Sequence, residues 1–148
     1  MLLKSGALLI DRLIETCPAA CGNVFAAADL AEVQEALQIT PALHVLLLDY
    51  QPVETTPTGA IRWDETWCVV AVVKHAARRD RASAQQHEAA PLLGEVIRGL
   101  SNWRFPLGPG RAGRCKIVPG PRPGVSTTHA YFSIGVSVVS VTERAHDT

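Results

Sequence analysis

The sequence predicts an α+β fold, with a mostly antiparallel β-sheet and about three helices packed on one face. Two long segments carry apolar residues at helical spacing, and residues 130–138 alternate between apolar and polar as a half-buried strand does. Strand-like segments occur in pairs before and after the second helical stripe, an order that favours an antiparallel sheet covered by helices. A chain of 148 residues is long enough to bury the core of one such domain. We therefore expect residues 1–148 to form a single domain.

Two helices are expected before the first long strand. The first ends before Pro18, because proline cannot continue a helix. Its apolar stripe consists of Leu3, Ala7, Ile10 and Leu13 or Ile14. The second runs from about Asp29 to Gln38, since Asp29 and Glu32 have the spacing of a capping box.

A third helix is expected to end near Trp103. Its apolar stripe consists of Leu92, Leu93, Val96, Ile97 and Leu100. The start of this helix is open between two alternatives. A helix that begins at Ser83 contains Pro91 in its interior and is kinked there, whereas a later start places Pro91 in the first turn.

Four strands are expected. Residues 43–50 form a short apolar run between Pro41 and Pro52, which is typical of a strand covered on both faces or on most of them. Turn residues at 55–59 lead into a longer strand from Ile61 to about His75, whose first half is apolar on one side only. A short candidate at 114–118 precedes the last strand, at 130–138.

The segment at about 106–128 is expected to be a long exposed connection. Ten of the nineteen residues at 106–124 are proline or glycine, which favour turns over regular structure. The short strand candidate at 114–118 lies inside this segment.

The charges are balanced overall and uneven along the chain. The net charge is zero, which argues against a protein whose main task is to coat nucleic acid. Residues 1–73 contain three Lys or Arg and nine Asp or Glu, whereas residues 74–122 contain ten and three. The first part of the chain is therefore acidic and the next part is basic.

The sequence assigns no catalytic, cofactor-binding or metal-binding residues. Gly108, Gly110 and Gly113 match the pattern G-x-G-x-x-G, but a dinucleotide site needs a strand before this pattern and a helix after it. Cys17 and Cys21 would need two further ligands to hold zinc. The one start of a H-E-x-x-H zinc motif, at residue 87, has a proline where the second histidine belongs. We expect a protein that is not an enzyme and has no cofactor.

The four cysteines are expected to be free thiols in a reducing cytosol. A small cytosolic thiol enzyme therefore stays open as a function of a different class, although no local motif supports it. No segment approaches 18 consecutive apolar residues, so no membrane span is expected.

Basic and aromatic residues are the candidates for contacts with partners. The arginines near residue 80 lie in a polar stretch, for which a solvated loop is the simpler interpretation and a basic patch that binds a partner is the functional one. Two tryptophans lie next to turn-rich segments, where they could anchor an interface. The candidate interface residues are Trp63, Arg78, Arg79, Arg81, Trp103, Arg104, Arg111 and Arg114.

The order of these segments resembles the tail terminator, or tail completion, proteins of long-tailed bacteriophages, especially the Mu-like group. The resemblance covers most of the chain and consists of packing patterns. The segments that carry it are 24–25, 29–30, 40–46, 67–74, 90–97 with Leu100 and Trp103, and 130–132.

The resemblance implies a structural subunit of the virion. It implies a ring, usually a hexamer, at the head-proximal end of the tail tube, which stops tube polymerisation and joins the tail to the neck. The implied partners are other copies of the chain and the tail tube protein, with sheath and neck or connector proteins as further candidates. Phage DNA would pass through the lumen without sequence-specific binding. Assembly would take place in the host bacterial cytoplasm, and no cofactor is implied.

Two alternatives accompany this interpretation. Another head-tail connector or neck subunit would share the size and the sheet-plus-helix organisation. A nucleic-acid-binding module is a weaker candidate, because aromatic residues do not alternate with the arginines as a base-stacking surface requires.

Overall fold

The computed structural model describes residues 4–35, 39–74, 81–108, 111–122 and 129–142. Its helices are α1 (Ser5–Thr16), α2 (Leu30–Glu35) and α3 (Arg81–Leu100), with a short 3-10 turn at Pro18–Ala20. Its strands are β1 (Val24–Ala26), β2 (Ala42–Thr55), β3 (Ile61–Lys74), β4 (Arg104–Gly108), β5 (Arg111–Arg114), β6 (Lys116–Val118) and β7 (His129–Thr142).

Five of these strands form one sheet in the order β1-β2-β3-β7-β6, and β4 and β5 form a separate hairpin. β1 runs parallel to β2, and the other neighbours are antiparallel. β3 and β7 pair along their whole lengths, from Ile61 opposite Thr142 to Lys74 opposite His129. The predicted α+β class is confirmed, with a sheet that is mostly antiparallel.

α1 and α3 pack on one face of the sheet and enclose the main core. Because side chains alternate between the faces of a strand, Trp67, Val69 and Ala71 of β3 all face these two helices. The other core residues include Leu9 and Leu13 of α1, Leu92, Val96 and Leu100 of α3, and Val136 and Val138 of β7.

α2 does not share that face. Val33 of α2 packs with Cys68, Val70 and Val72, whose side chains point to the opposite side of β3. The expectation that the helices lie on one face therefore holds for α1 and α3, whereas α2 covers part of the other face. α2 is capped at its start: the backbone N–H of Glu32 donates to Asp29 Oδ1 at 2.8 Å, and Glu32 Oε2 accepts from Ala28 N at 2.6 Å.

Close contacts hold α1 in place. At Gly6 an added Cβ would lie 2.7 Å from Cη2 of Trp67, and at Gly99 of α3 it would overlap Thr16. Arg12 Nε donates a hydrogen bond to the backbone oxygen of Gly99 at 3.0 Å. Small residues at both contacts let the backbone of α1 approach the sheet and α3.

Two expected elements differ in extent. α3 begins at Arg81 and contains Pro91 in its interior, which answers the question about its start, and it ends at Leu100. β2 continues through Pro52 to Thr55, where the sequence predicts an end near Tyr50. Proline is tolerated there because this part of β2 lies at the edge of the sheet, where a missing N–H breaks no ladder on the outer side.

The proline- and glycine-rich segment contains more regular structure than expected. Its described residues form part of β4, all of β5 and all of β6. Cys115, between β5 and β6, is buried in the main core. The residues on either side of it, Arg114 and Lys116, are exposed.

Candidate protein interface

Three strands extend beyond the rest of the sheet. β1 pairs with β2 only as far as residue 45, and β6 lies beside β7 only at 135–137. β2, β3 and β7 stay paired with each other to Thr55, Ile61 and Thr142. We call residues 48–55, 61–66 and 138–142 the ribbon. Among the described residues, no strand pairs with the outer side of β2 within the ribbon.

The β2 side of the ribbon exposes large apolar side chains. Leu48, Tyr50 and Val53 are 39%, 48% and 53% exposed. All three lie within six residues of one edge strand, Leu48 and Val53 at its two shifts of register and Tyr50 between them. Single exposed apolar residues are ordinary, whereas a cluster of them is typical of a contact surface.

The same part of the ribbon carries three exposed carboxylates. Cross-strand partners share a face of the sheet, and the register of β2 with β3 places Asp49, Glu54 and Asp64 on the same face. Arg62 lies on this face too, and its Nη1 is 3.8 Å from Glu54 Oε1, a half-exposed pair that contributes little to stability. We call residues 48–55 together with Asp64 the acidic edge.

The acidic edge is irregular as a strand. Its pairing with β3 shifts register between Leu47 and Asp49 and again between Pro52 and Glu54. Pro52 has no N–H, and the N–H of Tyr50 donates to the carboxylate of Asp49 at 2.8 Å. The row of free backbone N–H donors that an added strand would need is therefore interrupted, so a partner has to bind mainly through side chains.

β4 and β5 place two arginines directly opposite each other. Arg104 pairs with Arg114 in the register of the hairpin, and both side chains are exposed. Like charges at opposite positions repel. No carboxylate among the described residues forms an ion pair with either guanidinium. We call residues 104–108 and 111–114 the basic hairpin.

The basic hairpin lies next to β7, a different strand of the ribbon from the one that carries most of the acidic edge. Both of its strands lie against β7. β6 runs antiparallel to β7 with Lys116 opposite Ser137, so the residues before Lys116 extend toward the ribbon end of β7. Phe105 of β4 is buried with Val138 in the main core, in agreement with that placement. The basic hairpin therefore contacts β7, whereas the acidic edge belongs to β2 and to Asp64 of β3.

Trp103 fastens the base of the basic hairpin. Its ring is half-buried, with the Arg12 guanidinium 5.3 Å from the ring centroid and the ring of Phe105 in an edge contact at 5.7 Å. Its backbone oxygen accepts a hydrogen bond from Cys115 N at 2.8 Å. Trp103 therefore connects the hairpin to α1. These contacts cover most of the Trp103 side chain, so no partner protein is needed to cover it.

Trp63 lies in the ribbon and is also half-buried. Its ring is tilted against that of Tyr50, with centroids 6.0 Å apart. Its indole N–H and the hydroxyl of Ser140 directly opposite are both buried, and neither has a hydrogen-bond partner among the residues that the structure describes. Trp63 thus supports the apolar cluster from the inner side.

Buried polar groups occur on both faces of the sheet. Glu65 is fully buried, and its Oε1 accepts a hydrogen bond from the indole N–H of Trp67 at 3.0 Å. On the other face, His44 is 7% exposed and its ring lies 5.5 Å from that of Phe25. Burial lowers the pKa of His44 below its ordinary value of 6.5, against the opposing attraction of Glu32.

Three of the four thiols are not arranged for nucleophilic chemistry. Cys17, Cys68 and Cys115 are buried, and burial raises the pKa of each, to about 11 for Cys68 and for Cys115. A reactive cysteine needs a lowered pKa and access to substrate. Cys21 is exposed. Within the described part of the chain, no three His, Cys, Asp or Glu residues are grouped to hold a metal ion.

The glycine pattern has a different role from phosphate binding. Gly108 ends β4 and Gly113 lies within β5, so the pattern spans a hairpin and leads into no helix.

None of the helices in the described residues is long and apolar enough to cross a membrane.

A family-wide sequence comparison decides what kind of protein carries these surfaces. The family described as phage tail terminator protein matches residues 2–138. The chain belongs to the phage tail terminator family. A search among curated proteins finds no match. The terminator family is a structural family of phage tails, so this chain is a structural protein of the phage tail.

The sequence-predicted interface residues of this terminator fall into three groups. Arg104 and Arg114 come together on the basic hairpin, and Trp103 lies at its base. Trp63 lies apart from them in the ribbon. Arg78 and Arg79 lie outside the described residues. For Arg81 in α3 and Arg111 in β5, the structure describes the backbone alone.

Sequence reasoning missed the acidic edge. It interpreted residues 43–50 as covered on most sides, whereas burial ends near Leu46 because the terminator's helices do not extend over the ribbon. The available signal was the run of polar residues at Asp49, Gln51 and Glu54, which continues the strand on its solvent side.

Proposed function

We propose that the protein forms a ring, a hexamer, on the head-proximal end of a phage tail tube, where it stops tube polymerisation and joins the tail to the neck. The observation that carries this proposal is the match to the tail terminator family over residues 2–138. It agrees with the candidate interface, in which an acidic surface at β2 and β3 and a basic surface beside β7 are separate parts of one subunit. Two different surfaces of this kind suit a cyclic assembly.

The proposed partners are other copies of this chain, the tail tube protein, and neck or sheath proteins. DNA passes through the lumen of the ring without sequence-specific contacts, which is consistent with a net charge of zero. Assembly takes place in the host cytoplasm. The tail belongs to the Mu-like group of long-tailed phages.

Electron microscopy of tail tubes tests this proposal. Tube protein of the same phage is polymerised with and without the purified protein. We expect a ring-shaped density at one end of each tube, and a narrower and shorter distribution of tube lengths. Bare ends together with an unchanged length distribution would contradict the proposal. Binding to purified connector particles with no binding to tubes would instead assign the protein to the head-tail connector.

A further inference from the structure

The two charged surfaces are placed for contact between copies of the chain. The acidic edge consists of residues 48–55 of β2 and Asp64 of β3, whereas the basic hairpin contacts β7, the strand on the other side of β3. A contact between two different surfaces of a subunit is heterologous, so each copy offers both surfaces and successive copies join head to tail.

Charge favours this pairing over a contact of like surfaces. The acidic edge exposes Asp49, Glu54 and Asp64, of which Glu54 alone has a basic residue beside it, at 3.8 Å. The basic hairpin exposes Arg104 and Arg114 side by side. Two acidic edges, or two basic hairpins, would repel, whereas one of each relieves the unbalanced charge on both.

The acidic edge exposes apolar side chains as well as carboxylates. Leu48, Tyr50 and Val53 are each about two-fifths to one-half exposed, and Tyr50 lies on the face opposite the carboxylates, so a neighbour that wraps around the edge would remove them from water. Because the edge is interrupted at Pro52 and by two register shifts, the neighbour is held by side-chain contacts and not by a continued sheet.

We propose that the acidic edge of one copy binds the basic hairpin of the next copy. This inference rests on the proposed ring function and deepens it, because it names the two surfaces that close the ring. The occupant of the acidic edge is a second copy of this chain.

Charge reversal tests the pairing. One variant carries Asp49→Lys and Asp64→Lys, and the other carries Arg104→Glu and Arg114→Glu. Each alone presents two like-charged surfaces, so its self-association, measured by sedimentation velocity and as ring density on tube ends, is expected to weaken at least about tenfold. When the two variants are mixed, every contact joins opposite charges again, and assembly returns in alternating rings with an even number of subunits.

A matched control is available on α1. Asp11→Lys with Glu15→Lys makes the same change of charge at exposed positions of α1 that belong to neither surface, and it leaves assembly unchanged. Circular dichroism shows that each variant is folded. Wild-type assembly is also expected to weaken as salt is raised from about 0.05 M to 0.5 M, because screening shortens the range of the attraction.

The outcomes separate this inference from the proposed function. Single variants that assemble as the wild type does, or a mixture that fails to regain assembly, overturn the pairing while ring density on tubes keeps the function intact. Absence of ring density and of self-association in the wild type overturns the proposed function itself. Loss in each single variant with recovery in the mixture supports the pairing.

Discussion

Replacement of Gly6 by alanine is expected to destabilise the protein although alanine favours helices. Gly6 lies within α1, where the exchange of glycine for alanine alone stabilises by about 1 kcal/mol. The added Cβ, however, would lie 2.7 Å and 2.9 Å from two ring atoms of Trp67. Contacts between carbon atoms are most favourable at about 3.5–4.0 Å, so the overlap is about 1 Å.

The ring of Trp67 has little freedom to move away. It is 8% exposed, and its indole N–H is held by Glu65 at 3.0 Å. Overpacking of this kind costs about 1–3 kcal/mol, so the net loss in the free energy of unfolding is expected to reach about 2 kcal/mol after the gain in helix propensity.

Urea denaturation followed by circular dichroism measures this difference, with Gly94→Ala as the matched control. Gly94 is also a helix glycine, but the nearest atom to its added Cβ is Nη1 of Arg98 at 3.3 Å, the end of an exposed side chain that can move. We expect Gly94→Ala to be as stable as the wild type or more stable by up to about 1 kcal/mol. The close packing of α1 on Trp67 would be refuted if Gly6→Ala raised the urea midpoint as Gly94→Ala does.

Three further predictions follow from buried and capping groups. His44 has a lowered pKa, so below pH 6.5 the unfolded chain binds a proton that the folded chain does not. The stability of the wild type should therefore fall as the pH drops below that value. Between pH 7 and 5, the urea midpoint of His44→Gln should fall less steeply than that of the wild type. An equal slope in wild type and variant would contradict this. Alkylation of the native protein should modify Cys21 alone, since the other three thiols are buried, and mass spectrometry that finds Cys115 modified at the same rate would show otherwise. Asp29→Ala should lower the free energy of unfolding by about 1 kcal/mol through loss of the α2 cap, whereas Asp29→Ser should retain most of it; equal losses in both variants would argue against capping.

The long elements were predictable because each carries a periodic pattern over many residues. The apolar stripe before Pro18 predicts α1, and the alternation at 130–138 predicts most of β7. The pairing of Asp29 with Glu32 predicts the start of α2, because a capping box is a local interaction.

Short elements were not predictable for the opposite reason. β1 has three residues, and its parallel pairing with β2 depends on where the chain lies after α1 has packed. Most of β4 and all of β5 lie in a segment whose prolines and glycines indicate turns, and the burial of Phe105 and Cys115 that anchors the hairpin is a tertiary effect. Local sequence carries little information about either.

The candidate interface was predictable in part. Arg104 and Arg114 are candidates from composition and position, but their place opposite each other depends on the register of the hairpin. The exposure of Leu48 and Tyr50 was not predictable, because the same apolar run begins in the core and ends beyond the reach of the helices.

The position of β7 has a consequence for the order of folding. β2 and β3 are joined by a short turn and can pair early, since closing a small loop costs little conformational entropy. β7 pairs with β3 across more than fifty intervening residues and also carries β6 and supports the basic hairpin. Long-range pairing of this kind slows folding. The acidic edge can therefore form with the first hairpin, whereas the opposite side of the ribbon is completed only when β7 has docked, so a partly folded chain presents one of the two surfaces and not both.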